Sequence, residues 1–319
     1  MTTAVRKLTI KAPGSTANLG PGFDALALAL SVNCTLHFEV LDQNDKSVPL
    51  ITLKGDLLDD IPTDQSNMIY QVISDSWRAD REMLSRVRIV IESNIPPGKG
   101  LGSSAAATIG AVCAAYALAG ADEDHAAILA DGKAMLGEAM KLEGHVDNIS
   151  ASLLGGLVAC SYSDTRRAVI TQKLMWPTDW SPIIIVPPYV LSTKRSRSVL
   201  PQTVSRADAV SNVQKVSLLL AAVTNQDEEA MQEALHDRLH EPYREALVPD
   251  LGMVRKLITD LPTIGCVLSG AGSSILVLVN RRHRRQVLQA LRDWAGGRSP
   301  SPDILDLHVD QEGLRITYD

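Results

Sequence analysis

The chain has 319 residues, enough for one large or two ordinary domains, and its 45% hydrophobic and 21% charged residues are ordinary for a globular protein. Lys plus Arg is 31 against 37 for Asp plus Glu, a formal charge of −6 with no basic stripe, which argues against a nucleic-acid partner and against an anionic membrane surface. Aromatics are only 4%, so the core must be built from Ala, Val, Leu and Ile, and the scattered Cys34, Cys113, Cys160 and Cys266, with no CxxC, read as buried thiols of a reducing, cytoplasmic compartment.

The opening MTTAVRKLTIKAPGS has no long apolar core and no cleavage-like site, so no signal peptide is expected. A strand is predicted over 7–11. The stretch from Ala12 to Asp24 reads APGSTANLGPGFD, in which Gly20-Pro21-Gly22 is a tight turn able to present Asn18 and Asp24 to one pocket. An ordinary polar turn has the same composition. Further on, a strand is predicted over 35–41, a helix over 65–80 and a strand over 87–92, where Val87, Ile89 and Ile91 alternate with Arg88, Val90 and Glu92.

The stretch from Ile95 to Ala107, IPPGKGLGSSAAA, leaves that strand and opens a helix predicted over 103–119. Gly98, Gly100 and Gly102 allow sharp turning and close approach to a ligand. Ser103 and Ser104 fall at the helix start, where free N–H groups and the dipole favour an anion, so the loop is built to hold phosphate. The Walker pattern is absent, because Lys99 precedes the last two glycines. A dinucleotide pattern GxGxxA does match at Gly100, Gly102 and Ala105, but Asn94 to Pro97 separate the strand from the first glycine, which that fold does not tolerate. The apolar run over 105–119 is mostly Ala and Gly and falls short of the ~20 residues of a membrane span.

A helix is predicted over 123–142, followed by Glu143-Gly-His-Val-Asp-Asn148, a dense polar group before an apolar strand over 157–161. Pro177, Pro182, Pro187 and Pro188 crowd around the next strand, 183–186, and place a domain boundary near Pro188. Arg197 lies in STKRSRSVLP, and Arg244 in HEPYREALVP; taken singly, each reads as a solvated charge. Helices are predicted over 207–224, 228–240, 251–261 and 282–294, and strands over 266–268 and 274–279, flanking SGAGSS. His236 and His240 have a metal-compatible i, i+4 spacing but no third ligand and no HExxH glutamate. Continuous runs such as IIIV and ILVLV suit strands covered on both faces. After the loop GGRSPSP, 296–302, a last strand is expected. Strands and helices mix throughout, an α+β pattern.

Several of these stretches, in this order from residue 12 to about 280, resemble the motifs of the GHMP kinases, and in APGSTANLGPGFD and the two arginine segments those of the homoserine kinases among them. The resemblance implies a two-domain GHMP kinase fold, with a ribosomal S5 domain 2-like N-terminal domain over 1–188 and a ferredoxin-like C-terminal domain over 189–319. It implies that Pro97, Gly98, Lys99, Gly100, Leu101, Gly102, Ser103, Ser104 and Ala105 wrap the phosphates of ATP. It also implies that Ser104 and Glu143 meet Mg²⁺, with Glu138 as a competitor on the same predicted helix. Asn18, Asp24, His145, Asp147, Arg197, Arg244 and Gly270 would contact substrate, and Asn148, Asn18 and Ser104 would serve catalysis; no general base is required. Departures from the family pattern are Gly14 for alanine, Val146 for proline, Ser150-Ala151 for Ala-Pro, Ser273 for proline, and Arg195 where an acid is common. The implied reaction is ATP-dependent phosphorylation of the L-homoserine hydroxyl in threonine biosynthesis; a homodimer is left open. Alternatives are a mevalonate- or sugar-type GHMP kinase, a relative that only senses ligand, and an NAD-dependent oxidoreductase.

Overall fold

The computed structural model describes residues 7–55, 57–58, 61–76, 81–119 and 132–318. Strands β1 (Lys7–Ala17) and β2 (Leu26–Val40) form a long antiparallel pair with a register shift between Pro13 and Gly14. Both outrun the strands predicted over 7–11 and 35–41. The start of β2, LALAL, is buried at every position, so it lacks the alternation that marks a half-exposed strand. The second half of β2 pairs with β4 (Val87–Ser93), and its first residues pair with β5 (Leu157–Ser163). Strand β3 (Ile51–Lys54) lies parallel to β4, β6 (Ala168–Leu174) pairs with β5, and β11 (Arg315–Tyr318) closes against β1.

Helix α1 (Met68–Ser76) is shorter than the helix predicted over 65–80, and α2 (Arg81–Arg86) follows it. Helix α3 (Ser103–Ala119) packs on β1 and β2 and is flanked by α4 (Gly132–Glu143) and α5 (Asp147–Leu154). Its small side chains allow close approach: a Cβ at Gly110 would stand 3.1 Å from Leu36 Cδ1. Ile109 and Val112 are fully buried, each contributing ~1.5–3 kcal/mol of apolar burial. Of the helix predicted over 123–142, residues 123–131 lie outside the described residues.

The second sheet holds β7 (Trp180–Val186), β8 (Gly265–Leu268), β9 (Ile275–Asn280) and β10 (Asp303–Asp306), all antiparallel, in the order β10-β7-β9-β8. Counted along the chain, that is 4-1-3-2 with helices after the first and third strands, the ferredoxin-like βαββαβ arrangement. Ile183, Ile185 and Val277 face one core with α10 (Pro249–Leu257) and α11 (Arg284–Gly296), while Ile184, Leu276 and Leu278 face the other. Burial on both faces accounts for the unbroken runs IIIV and ILVLV.

The expected join at Pro188 does not follow the sheets. Strand β7 ends before Pro188 yet belongs to the second sheet, and β11 returns to the first. We propose a join before Trp180, with the C-terminal strand returned to the first unit; the prolines mark the loop that leaves β7. Among the described strands only β3 and β4 run parallel, so the open parallel sheet of a dinucleotide-binding fold is not formed.

After β7 the chain runs through α6 (Thr193–Ser198), α7 (Arg206–Asn225), α8 (Glu228–Ala234) and α9 (Glu241–Arg244) before α10. The helix predicted over 228–240 therefore stops early. That helix stops at Ala234, and the Asp237 carboxylate accepts the N–H groups of Leu239, His240 and Glu241 where the next one starts.

Candidate active site

Six segments converge on one cleft: the glycine loop after β4, the β1–β2 turn, the α4–α5 junction, the two helices bearing Arg197 and Arg244, and the β8–β9 loop. In the phosphate loop Gly98, Gly100 and Gly102 all have left-handed φ, at 66°, 78° and 68°. A Cβ on Gly100 would stand 2.3 Å from the Ser269 carbonyl oxygen, and one on Gly102 would stand 2.5 Å from Ser15 Oγ. The SGAGSS loop thus backs the phosphate loop directly. Ser269 Oγ donates to the Gly100 carbonyl at 2.7 Å, and the Ser274 N–H donates to the Lys99 carbonyl at 3.0 Å. Lys99 points away from the cleft: its ammonium donates to the carbonyls of Pro187 and Tyr189 at 2.7 and 2.8 Å, so it ties the loop to the segment that leaves β7. Neither Lys99 nor Pro97 lines the cleft, whereas Gly98 and the run from Gly100 to Ala105 do.

At the start of α3, Ser104 Oγ donates to Glu143 Oε1 at 2.6 Å, and Thr108 Oγ1, one turn on, donates to the same oxygen at 2.7 Å. Glu143 Oε2 has no hydrogen-bond partner among the described residues. Glu138 is engaged elsewhere, accepting from the Tyr116 hydroxyl at 2.9 Å. Among the described residues no group of three or more His, Cys, Asp or Glu is placed to hold a metal. One carboxylate and one hydroxyl suit Mg²⁺, a hard cation that completes its shell with water and phosphate oxygens.

Beside this corner Asn148 Oδ1 accepts from the fully buried Ser15 hydroxyl at 2.9 Å, which orients the amide. Asp147 is buried, its Oδ1 accepting the Asn148 N–H at 2.8 Å. That oxygen also lies 3.4 Å from His145 Nδ1 and raises the imidazole pKa above its usual value. Asp147 therefore holds its neighbours and is poorly placed as an exposed base.

The β1–β2 turn is strained, with Asn18, Leu19 and Asp24 all at positive φ. Asn18 locks it: its Oδ1 accepts the Asp24 N–H at 3.1 Å, and its Nδ2 donates to the Gly270 carbonyl at 2.8 Å. Arg197 donates both fork nitrogens to the Asp24 carboxylate at 2.9 and 2.7 Å. Asp24 and Arg197, both expected to contact substrate, are each other's partners here. Arg244 differs. It is 1% exposed and meets only neutral acceptors: the carbonyls of Ser196 and Gly270 and the His240 ring. Burial, with Arg197 nearby, pushes its pKa down to about 10. Both guanidinium groups lie over the Phe23 ring, at 5.5 and 5.3 Å from its centroid.

Residues 67–156 match the profile of the GHMP kinases N terminal domain, and residues 219–296 that of the GHMP kinases C terminal domain. The chain is 36% identical over 307 residues to a homoserine kinase of Desulfitobacterium hafniense, covering 96% of this chain and 99% of that one. It is 40% identical over 308 residues to one of Solibacter usitatus, covering 97% and 96%. The chain belongs to the GHMP kinases. A crystal structure of homoserine kinase from Cytophaga hutchinsonii superposes with a TM-score of 0.80 at 26% identity, covering 99% of each chain. Mevalonate diphosphate decarboxylase from Staphylococcus aureus, at 14% identity and a TM-score of 0.69 over 98% of each chain, shares the fold.

In this GHMP kinase Asn18, Asp24, His145, Asp147, Asn148, Arg197, Arg244 and Gly270 all line the cleft. Phe23 and Thr193 also line it and were missed, although both sit inside stretches singled out for other residues. Ser15 and Thr108 act one layer behind; only the helical spacing from Ser104 marks Thr108 in the sequence. His236 is exposed beside the Glu233 carbonyl and His240 is buried, so their i, i+4 spacing makes no shared site. No helix among the described residues is long and apolar enough to cross a membrane.

Proposed function

We propose that this GHMP kinase transfers the γ-phosphoryl group of ATP to the hydroxyl of L-homoserine, forming O-phospho-L-homoserine in threonine biosynthesis. The observation that carries the substrate is Arg244, a buried cation with no carboxylate of its own beside an Asp24–Arg197 pair. An amino-acid zwitterion can exchange into that set: its carboxylate takes the Arg244 fork and its ammonium takes Asp24. Mevalonate could place its carboxylate on Arg244 but has no ammonium for Asp24, and a sugar would leave Arg244 without an anion. The relatives that align over nearly the whole chain carry the name homoserine kinase.

Phosphoryl transfer needs positioning and charge neutralisation more than covalent help. The glycine loop and the first turn of α3 offer backbone N–H groups to the triphosphate, Asn148 orients the acceptor hydroxyl, and Ser104 and Glu143 would hold Mg²⁺. Bound there, Mg²⁺ would neutralise the charge on the transferring group. Four free, buried cysteines support a cytoplasmic setting.

The test is Arg244→Ala. Losing a charge-assisted hydrogen bond costs ~1.5–3 kcal/mol, roughly a 10- to 150-fold change. KM for homoserine should rise by that factor while KM for ATP stays near wild type. A wild-type homoserine KM in the variant, or equal turnover of the carboxylate-free 3-aminopropanol by the unmodified enzyme, refutes the assignment.

A further inference from the structure

His240 has no place in the phosphoryl-transfer scheme above, yet both hydrogen bonds of its ring and its stacking partner lie at the substrate corner. Its side chain is fully buried. Arg244 Nη1 lies 3.1 Å from Nδ1, and the Gly20 carbonyl oxygen lies 2.7 Å from Nε2. The ring stacks on Phe23, centroids 5.1 Å apart and planes at 24°. Phe23 carries both guanidinium groups, and Gly20 lies in the turn that presents Asp24.

The two hydrogen bonds leave one protonation state. An arginine fork has no lone pair to offer, so Nδ1 must accept; a carbonyl has no proton to give, so Nε2 must donate. The ring is therefore neutral and protonated on Nε2. Burial and the Arg244 charge favour that neutral form. Asp237 Oδ2, 3.7 Å from Nε2, pulls the other way, but that carboxylate is already occupied by the N–H groups of Leu239, His240 and Glu241 and by the Asn212 amide. Neither ring nitrogen retains a lone pair for a metal.

We infer that His240 is a positioning residue for the acceptor substrate: as the Nε2–H tautomer it couples the Arg244 fork to the turn bearing Asp24, so that the two charges of an amino acid meet partners at fixed spacing. A neutral imidazole suits this role because it places an acceptor and a donor on different ring atoms and still offers a flat face to Phe23. Arg244 reaches the same corner through Gly270, whose carbonyl it shares with Asn18. His240 thus joins parts of the site that lie 220 residues apart in the chain. The inference rests on the homoserine reading for the identity of the ligand, but not for the tautomer.

Two measurements test it on the full-length enzyme. Long-range ¹⁵N–¹H correlation of the imidazole rings should show, among the seven histidines, a neutral Nε2–H pattern that vanishes in His240→Asn. An Nδ1–H or doubly protonated His240 at neutral pH overturns the inference, and this holds even where a variant fails to fold. In kinetics, His240→Phe keeps the stacking but neither hydrogen bond, and His240→Gln can keep the donor to Gly20 but not the acceptor. Both should raise KM for homoserine about tenfold or more, with KM for ATP unchanged. His240→Asn, whose amide oxygen stands near the position of Nδ1 but whose side chain is too short to reach Gly20, should recover only part of that loss. Wild-type homoserine KM in Phe and Gln variants, or an ATP KM that rises in step, overturns the inference. A wild-type enzyme that shows the tautomer but does not phosphorylate homoserine overturns the substrate reading instead.

Discussion

Gly102→Val should lose ATP binding while its far-ultraviolet circular dichroism stays that of the wild type. The added Cβ would stand 2.5 Å from Ser15 Oγ, 3.1 Å from Asn148 Oδ1 and 3.2 Å from the Ser15 nitrogen, contacts that no rotamer relieves. The backbone there is also left-handed, at a φ of 68° that a β-branched residue adopts only under strain. The loop must move, and with it the N–H groups at the start of α3 and the amide that would orient the acceptor. Calorimetry should show ATP affinity falling by at least about 100-fold, the loss of two charge-assisted hydrogen bonds. Gly137, with open space around its Cβ position, is the control. Gly137→Ala sits within α4 and should bind ATP normally and be more stable by roughly 1 kcal/mol. Near-normal ATP affinity in Gly102→Val would show that phosphate does not lie against this loop.

Glu143→Gln should lower kcat by about 100-fold or more, the scale seen when one electrostatic stabiliser of a transition state is removed. The amide keeps the size of the side chain, and one oxygen can still accept from Ser104 and Thr108. What is lost is the charge at the free oxygen, so the Mg²⁺ concentration needed for half-maximal rate should rise as well. Glu138→Gln should stay within a few fold of wild type, because the Tyr116 hydroxyl accounts for that carboxylate. Thr108→Val, isosteric and buried, removes one of the two bonds that aim Glu143 and should cost ~10-fold in Mg²⁺ affinity. Titrating the rate with Mg²⁺ separates the three. If Glu138→Gln abolishes activity while Glu143→Gln keeps its Mg²⁺ dependence, the cation site is misplaced.

Much of the site is legible in the sequence because its chemistry is local there. The glycines and serines of GKGLGSS announce an anion site without any tertiary information, since close backbone approach and a helix start are properties of a few consecutive residues. The α+β pattern follows in the same way from the alternation in 87–92 and from the unbroken runs of β7 and β9. What is hidden depends on where a side chain finds its partner. Lys99 lies within the loop, but its ammonium reaches the carbonyls of Pro187 and Tyr189, far off in sequence. Asp24 and Arg197 both read as substrate contacts, and only the folded chain shows them paired across 173 positions. Thr108 lies outside the motifs, and Ser15 and His240 lie inside them but act through neighbours that only the fold supplies, Asn148 and Arg244. The first half of β2 was missed because a strand covered on both faces loses its period, and the helix through 228–240 was drawn too long because Asp237 caps a new helix from within it.

The most direct measurement is ATP consumption by the purified chain with L-homoserine, L-threonine, mevalonate and galactose in turn, at equal ATP and Mg²⁺. A site with a buried fork for a carboxylate and an acid for an ammonium should reject ligands that leave either unpaired. Polar sites of this kind discriminate by factors of about 10⁴ or more. L-threonine satisfies both charges but carries its hydroxyl one carbon nearer to them, out of line with Asn148. The account predicts kcat/KM for homoserine at least about 100-fold above each of the other three, with O-phosphohomoserine as product. Equal or better turnover of mevalonate or galactose, or no turnover of homoserine, would contradict it.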